Sequence, residues 1–410
     1  MDAMNECRAC KSKNLIMCLP MGDHPPANQF LREEDLGLPE MKAPLNTHVC
    51  IDCGLIQVPD NVPAGFFRNY VYVPSASPML HTHFDAFAAK MVANYLPTKD
   101  SLIVDIGCND GLFLGACLKR GAKVLGIDPA DNITARARAM GIEVVPEYFG
   151  TRTAKLVARD HPAPKIIVTN NTFNHIGDLH DFMGGIVEYM DPEGVFVVEV
   201  PTALDLVQHN EFDTIYHEHT SEFSVQSFIA LYAYFDMEVF DIENLPIHGG
   251  SMRVYGQRKS AGRAIQPIVS EWNKRERDAK LFSAETYVAF ADRVQQIRKE
   301  LMSLLRKLKA EGKSIAGAGA PAKGNTLLNY YGIGTDILDF IGDRNELKHG
   351  LYTPGMHIPV TPAERILEAQ PDYLLILAWN FADEIMEQQE EYRRRGGKFI
   401  IPIPTPRVVG

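Results

Sequence analysis

Residues 101–114, SLIVDIGCNDGLFL, run from an apolar strand directly into a glycine-bearing turn and the start of a helix. Three more short apolar runs follow, KVLGID at 123–128, KIIVTN at 165–170 and VFVVEV at 195–200. Continuous apolar runs with β-branched residues are typical of strands buried on both faces. Helical stretches such as DFMGGIVEYM at 181–190 lie between them. This alternation predicts a parallel sheet covered by helices on both faces.

The last hundred residues repeat the alternation of strand and helix. The strand candidates are KSIAGAGAPAKGN at 313–325, LDFIGDRN at 338–345, DYLLILAW at 372–379 and KFIIPIP at 398–404. A long polar helix, roughly Glu285 to Glu311, precedes them. The pattern predicts a second, smaller α/β unit joined to the first by that helix.

Two C-x-x-C pairs lie at the start of the chain. Cys7 and Cys10 occur in NECRACKS, and Cys50 and Cys53 occur in HVCIDCGL. Four thiolates at this spacing can form a closed tetrahedral zinc shell, which is the pattern of a structural site. A redox dithiol is the alternative, but it needs no second pair and normally occupies a strand-to-helix turn. We therefore expect structural zinc, which takes the place of a large core in this segment.

These patterns divide the chain into three predicted domains. Residues 1–75 form a small zinc-binding domain, residues 76–280 a central Rossmann-like domain, and residues 281–410 a smaller Rossmann-like α/β domain that includes the linker helix. The fold class is therefore α/β.

Composition limits the partners. The chain has 410 residues, a net charge of −11, 46% hydrophobic and 23% charged residues, which is an ordinary globular composition. The acidic balance disfavours nucleic acid and anionic membranes, and no apolar run reaches the length of a membrane span. No signal peptide is visible, and the seven cysteines fit a reducing compartment. We expect a cytoplasmic protein, monomeric or weakly oligomeric, with a small-molecule substrate.

The first glycine turn favours an S-adenosylmethionine (SAM) site. Asp105 ends the strand, Gly107, Asn109 and Gly111 lie in the turn, and Asp128 ends the next strand about twenty residues later. An acid at the first strand end suits the ammonium of SAM, and one at the second can accept both ribose hydroxyls. A G-x-x-x-G turn alone also fits a nicotinamide enzyme. The form D-I-G-C-N-D-G, in place of G-x-G-x-x-G, favours SAM.

The third strand end, VTNNTFNHIGDL, supplies Asn170, Asn171 and His175. Ligands of parallel sheets bind at the carboxyl ends of the strands, so these residues are predicted to contact the cofactor. The alternative for both asparagines is simple turn capping.

The segment DTIYHEHTSEFS follows the fourth strand and is the candidate catalytic segment. It places Tyr216, His217, Glu218 and His219 in four consecutive positions. Histidine has the pKa nearest neutrality and suits proton abstraction. Because residues i and i+2 rarely converge on one small site, one histidine is expected to be structural. A metal-binding H-x-H is less favoured because the H-E-x-x-H spacing is absent.

The chain resembles the zinc-containing sugar C-methyltransferases, which act on nucleotide-linked 4-keto-6-deoxy sugars. The resemblance rests on the cysteine pairs, VDIGCNDG, YHEHTSEFS, GAGAPAKGNTLLNY and GDRNELKHGLYTPGMHIPV, in this order and over nearly the whole chain. It implies a SAM-dependent C-methyltransferase whose catalytic residues are Tyr216, Glu218 and His219. A further active-site tyrosine corresponds to Tyr70 or Tyr72. The family usually has serine where this chain has Pro74.

The resemblance also implies a mechanism. His219, with Tyr216, removes a proton next to the sugar ketone, and the resulting carbanion takes the SAM methyl group, with carbon 3 favoured over carbon 5. The nucleotide diphosphate requires cations, for which Lys323, Arg344 and Lys348 are the candidates. Solvated charges on a nucleotide-fold turn are the alternative for these loops. The competing functions are an O- or N-methyltransferase of a small metabolite and an NAD-dependent oxidoreductase.

Overall fold

The computed structural model describes residues 4–59, 65–68, 72–247 and 249–410. Within these ranges no helix combines the length with the apolarity that crossing a bilayer requires.

The N-terminal part consists of short strands between proline-rich loops. These strands are β1 (Leu15–Leu19), β2 (Asp23–His24), β3 (Ala43–Pro44), β4 (Thr47–Cys50) and β5 (Ile56–Gln57). β1, β4 and β5 form an antiparallel sheet, and β2 pairs with β3.

The central part alternates helices and strands, as the apolar runs predict. Its elements are α1 (Pro78–Tyr95), β6 (Leu102–Ile106), α2 (Leu112–Leu118), β7 (Lys123–Ile127), α3 (Asp131–Ala139), β8 (Val144–Val145), α4 (Thr151–Val157), β9 (Ile166–Asn170), α5 (Leu179–Tyr189), β10 (Val195–Pro201), α6 (Ala203–Gln208), β11 (Ser221–Glu222), α7 (Val225–Ala233), β12 (Met237–Leu245), β13 (Ser251–Arg258) and α8 (Pro267–Asp278).

The central sheet has the order β12-β13-β10-β9-β6-β7-β8. β6 to β10 run parallel, while β13 is antiparallel to both of its neighbours. The chain leaves β6 toward β7 on one side and returns to β9 on the other, so the topological switch point lies between β6 and β9. Ligands of open α/β sheets bind at such a point, outside the carboxyl ends of the strands.

The C-terminal part begins with the predicted long helix and continues as a second α/β unit. Its elements are α9 (Ala284–Ala310), β14 (Ile315–Ala318), α10 (Ala322–Tyr331), β15 (Ile341–Asp343), β16 (Val360–Pro362), α11 (Glu364–Ala369), β17 (Tyr373–Ile376), α12 (Ala382–Gln388), α13 (Glu390–Arg394), β18 (Lys398–Ile401) and β19 (Arg407–Val409). The sheet order is β16-β15-β14-β17-β18-β19, which places a second switch point between β14 and β17.

One strand crosses the division that the sequence indicates. β11 lies in the candidate catalytic segment, yet it pairs antiparallel with β5 of the N-terminal sheet, Ser221 opposite Gln57 and Glu222 opposite Ile56. The residues that follow Tyr216 are therefore held by the backbone of the cysteine-bearing sheet. Both the fold class and the three-part α/β architecture agree with the sequence prediction.

Candidate active site and zinc site

A cleft of 460 Å³ opens at the switch point between β6 and β9. Seven of the eight predicted cofactor residues line it: Asp105, Gly107, Asn109, Asp128, Asn170, Asn171 and His175. The structure therefore brings these residues to one place, as their positions at the strand ends predict. Pocket size and position fit SAM, because such sites are concave, largely apolar and equipped with a few polar groups.

Gly111 does not line the cleft. It is the N-cap residue that precedes α2, with a φ of +80°, and a side chain there would collide with Ala137 and Ile142. The left-handed turn and the helix packing therefore account for the glycine without a cofactor contact.

Asp128 is organised to accept further hydrogen bonds. Its two carboxylate oxygens already accept the backbone N–H groups of Asn109 at 2.9 Å and Ala130 at 2.8 Å. Each oxygen has a second lone pair, so two ribose hydroxyls can still donate to it. Burial raises the pKa of Asp128, and these backbone hydrogen bonds lower it.

The floor of the cleft carries two more polar groups suited to SAM. Asp105 is 3% exposed, and burial together with the charge of Asp128 raises its pKa well above the usual value. A cation that binds there would restore the ionised form, which suits the SAM ammonium. The side-chain oxygen of Asn170 is buried and, within the part of the chain that the structure describes, lacks a hydrogen-bond partner.

Of the two candidate tyrosines, Tyr72 lines the cleft and is 46% exposed, while Tyr70 lies outside the described residues. The backbone oxygen of Tyr72 accepts a hydrogen bond from the Asn109 side chain at 3.1 Å. Pro74 also lines the cleft, at the first position of a short 3₁₀ turn, where its fixed φ and missing N–H are tolerated.

The candidate catalytic segment is buried beside this cleft. The Tyr216 hydroxyl contacts Nε2 of His219, and the two rings lie 4.0 Å apart. His175, which lines the cleft, lies 5.1 Å from the His219 ring. Burial and the charge of Lys323 lower the pKa of His219 well below its usual value, so the ring is a neutral proton acceptor.

Sequence reasoning missed the group on the other side of His219. Nδ1 of that ring lies 2.9 Å from Oε1 of Glu222, whose side chain is 2% exposed. Glu222 lies within the quoted segment, three residues after His219. This three-residue spacing was the only indication of the contact in the sequence. The two side chains meet only because β11 follows a turn.

His217 and Glu218 have different surroundings. Nε2 of His217 donates to the Ala43 oxygen at 2.9 Å, which is a structural contact with β3. One carboxylate oxygen of Glu218 accepts from the backbone N–H and the side chain of Asn28, at 3.3 Å and 3.1 Å. Burial raises the pKa of Glu218 to about 7.

The three predicted diphosphate ligands lie in separate places. Lys323 is the second residue of α10, near the second switch point, with its Nζ 5.3 Å from the centre of the Trp379 ring. Lys348 is 9% exposed and donates to the Ala320 oxygen at 2.8 Å, so it stabilises the turn after β14. Arg344 is exposed and 3.9 Å from Glu384. The structure does not bring these cations together.

The four predicted zinc ligands do converge. The sulfur atoms of Cys7, Cys10, Cys50 and Cys53 all lie within 4.8 Å of one another, with two pairs at 3.5 Å. Zinc–sulfur bonds of 2.3 Å in a tetrahedron require sulfur separations of about 3.8 Å. The donor set therefore fits a closed zinc site that has no open position for a substrate.

Comparison with known proteins agrees with this division of sites. Residues 7–66 match a zinc binding domain, residues 80–240 a methyltransferase domain, and residues 246–404 a C-methyltransferase C-terminal domain. C-methyltransferase NovU of Streptomyces niveus is 35% identical over 407 residues, covering 99% of this chain and 97% of that protein. The chain belongs to the zinc-containing, SAM-dependent C-methyltransferases.

More distant matches cover only part of the chain. A ubiquinone biosynthesis O-methyltransferase of Rhodopseudomonas palustris (strain BisA53) is 32% identical over 98 residues, 23% of this chain and 38% of that protein. The structure of magnesium protoporphyrin IX methyltransferase from Synechocystis PCC 6803 with bound SAM superimposes with a TM-score of 0.34 at 10% identity, covering 43% of this chain and 79% of that one. The full-length relative decides against the oxidoreductase and against an O- or N-methyltransferase.

Proposed function

We propose that this enzyme methylates carbon 3 of a nucleotide-linked 4-keto-6-deoxy sugar. The observation that carries the proposal is the position of the Tyr216–His219 pair. His175 lines the cofactor cleft, and its ring is 5.1 Å from the ring of His219. A proton acceptor, His219, therefore lies directly behind a residue that lines the cleft proposed to hold the methyl donor. Methylation of carbon requires such an acceptor, because a carbon nucleophile must first lose a proton.

The ketone explains how that proton becomes acidic. When the C3–H bond breaks, its electron pair enters the enolate, and the proton passes to the Tyr216–His219 pair, where Nε2 of His219 holds it. SAM, when bound, would supply the electrophilic methyl group to carbon 3, and its methyl–sulfur bond would break to leave S-adenosylhomocysteine. The residues of this chain align the two reactants and keep water out, which supplies much of the rate without a covalent intermediate.

Buried polar atoms around the pair support a hydroxylated substrate. Within the described residues, several side chains near the catalytic segment have buried polar atoms with no hydrogen-bond partner. They belong to Asn174, Asp213, Thr214, Glu218, Ser221 and Glu222. Unsatisfied buried groups cost free energy, so this density of donors and acceptors is expected where a polar ligand binds. Sugar hydroxyls would satisfy them.

We propose that the nucleotide binds on the C-terminal α/β unit, at the junction where this unit meets the segment that contains Tyr216 and His219. Burial raises the pKa of Asp213 to about 7 and that of Glu222 well above its usual value, and the nearby charge of Lys323 opposes both rises. We therefore assign the Lys323 ammonium, on the second residue of α10, to the sugar end. Arg344, on the surface after β15, is the candidate for the outer phosphate. Lys348 supports this surface by holding the Ala320 oxygen.

The test is mass spectrometry of a panel of nucleotide-linked 4-keto-6-deoxy sugars, thymidine and guanosine diphosphates included, incubated with SAM. We expect a gain of one methyl group on a keto sugar and none on the matched 4-hydroxy sugar. Fragment analysis should place the methyl on carbon 3. Methylation of the 4-hydroxy sugar would contradict the mechanism, and a methyl on carbon 5 would contradict the position.

A further inference from the structure

Glu222 occupies a position that the reaction described above does not yet use. It lies on β11, whose pairing with β5 fixes its backbone, Glu222 opposite Ile56. Its Oε1 is 2.9 Å from Nδ1 of His219, while the other face of the ring contacts the Tyr216 hydroxyl through Nε2. The Glu222 carboxylate, the His219 imidazole and the Tyr216 hydroxyl are therefore connected in series and buried.

We propose that Glu222 is a positioning residue that fixes the tautomer of His219. Its carboxylate accepts the Nδ1 proton, which leaves Nε2 unprotonated and directed at the Tyr216 hydroxyl. A neutral imidazole carries a proton on only one nitrogen, and the partner of that nitrogen decides which one. This inference rests on the proposed function, in which Nε2 of His219 holds the substrate proton.

The carboxylate also balances charge when that proton arrives. The titratable groups that face His219 and Glu222 are Tyr216, His175, Lys323 and Glu211. Burial lowers the pKa of His219, and the positive charge of Lys323 lowers it further. An imidazolium would therefore form beside another positive charge. The adjacent Glu222 carboxylate offsets this repulsion, as an acid does in other histidine bases.

Two substitutions separate positioning from simple packing. Glu222→Gln keeps the size of the side chain but removes the charge, and its amide can donate to Nδ1 and so favour the wrong tautomer. Glu222→Asp keeps the charge but shortens the reach. Glu276→Gln is the matched control, because Glu276 is also buried but accepts the backbone N–H of Val225, at the start of α7, at 2.6 Å instead of contacting His219.

The first measurement needs no substrate. Nitrogen-15 NMR of histidine-labelled enzyme, assigned with His219→Asn, reports which ring nitrogen carries the proton. We expect an Nδ1-protonated His219 in the wild type, in Glu222→Asp and in Glu276→Gln, and loss of that signal pattern in Glu222→Gln. An Nε2-protonated His219 in the wild type would overturn the proposal. SAM binding by calorimetry and zinc content confirm that each variant is folded.

The second measurement is exchange of the sugar α-proton with deuterated water, without SAM, on a thymidine-diphosphate-linked 4-keto-6-deoxyhexose. We expect Glu222→Gln to slow exchange roughly 10²–10⁴-fold, the cost of a wrong tautomer in comparable sites, and to move the acidic limb of its pH profile to lower pH. Glu222→Asp should retain more activity than Glu222→Gln. A merely structural role predicts the reverse order, which would overturn the proposal.

Failure of the proposed function gives a different result. If His219→Asn exchanges the proton at the wild-type rate, His219 is not the base, whatever the Glu222 variants do. If His219→Asn is inactive and Glu222→Gln is fully active, only the role of Glu222 is wrong.

Discussion

At the scale of single residues, Asp128 shows how a backbone-braced carboxylate prepares a cofactor site. Two backbone N–H groups hold its oxygens, so the side chain loses little conformational freedom when ribose binds. Asp128→Asn should therefore weaken SAM binding by roughly 1–3 kcal/mol, or about 5- to 150-fold, because the amide offers only one acceptor oxygen. Isothermal calorimetry measures this directly.

The control for that experiment is Asp131→Asn. Asp131 begins α3 with an exposed side chain and pairs loosely with Arg138 at 3.5 Å. It should leave SAM affinity unchanged. Equal affinity of the Asp128→Asn variant and the wild type would show that this strand end faces something other than the ribose.

His219 and His217 form a natural pair for a second prediction, since they are two residues apart but differ in surroundings. His219→Asn should reduce turnover roughly 10²–10⁴-fold, the usual contribution of general-base catalysis, with SAM binding retained. His217→Asn should leave turnover closer to wild type and lower the melting temperature, because Nε2 of His217 stabilises Ala43 on β3. Steady-state assays with calorimetric SAM binding separate the effects. Comparable losses of turnover in both variants would argue against a distinct role for His219.

Residue chemistry was predictable where it depends on strand ends and unpredictable where it depends on tertiary pairing. Asp105, Asp128 and His175 lie at the expected edge because parallel strands bring their carboxyl ends together. Glu222 was missed because only the pairing of β11 with β5 turns it toward His219. Lys348 has the right charge, but its burial and its contact with Ala320 could not be read from the sequence.

At the scale of elements, β11 links the zinc-bearing sheet to the catalytic segment. Arg8, between the first two cysteines, strengthens this link: its guanidinium donates to the oxygens of Thr220 at 2.6 Å and Val58 at 2.5 Å. Ser224 in turn donates to the Cys53 oxygen at 2.5 Å. The cysteine cluster is closed to substrate, yet it positions the strand that carries Glu222.

This link predicts that loss of zinc impairs catalysis without removing a catalytic group. Cys50→Ser should lower the zinc content from one ion per chain, decrease the melting temperature and reduce methyl transfer, because β5 no longer holds β11 in place. Cys18→Ser is the control, since Cys18 is buried on β1 outside the cluster. Elemental analysis, thermal melting and turnover test this together. Full turnover in a zinc-free Cys50→Ser enzyme would show that the sheet holds β11 without the metal.

At the scale of the whole molecule, two α/β units face each other across the candidate catalytic segment. The alternation of apolar runs was enough to predict both sheets, because buried parallel strands have continuous apolar sequences. It did not predict how the units meet. Trp379, after β17, donates to Asp213 at 2.6 Å and so joins the second switch point to the segment before Tyr216. Such contacts depend on the packing of whole domains, which no local pattern encodes.

The junction between the two α/β units contains more acidic than basic side chains. Glu211, Asp213 and Glu218 are all buried, and burial raises the pKa of each to about 7. Lys323, contributed by the C-terminal unit, lowers the pKa of the first two and is the cation that partly offsets them. Burying these carboxylates therefore costs stability when they ionise, a cost that functional sites commonly carry.

This cost gives a prediction with a defined sign. The pKa of Glu211 is about 7 in the folded protein and near 4.5 in the unfolded chain, so between these values the folded state binds more protons. Ionisation of Glu211 therefore leaves the free energy of unfolding unchanged below about pH 4.5 and lowers it as the pH rises. The decrease is complete above about pH 7 and is on the order of 3 kcal/mol at most. Glu211→Gln removes this titration. The melting temperature of the variant relative to wild type should thus increase from pH 5 to pH 8, measured by calorimetry on the ligand-free enzyme. Glu34→Gln, at an exposed side chain, should show a constant difference over the same range. A constant difference for Glu211→Gln as well would mean that Lys323 already neutralises the carboxylate at the junction, and that the two α/β units meet there without an electrostatic penalty.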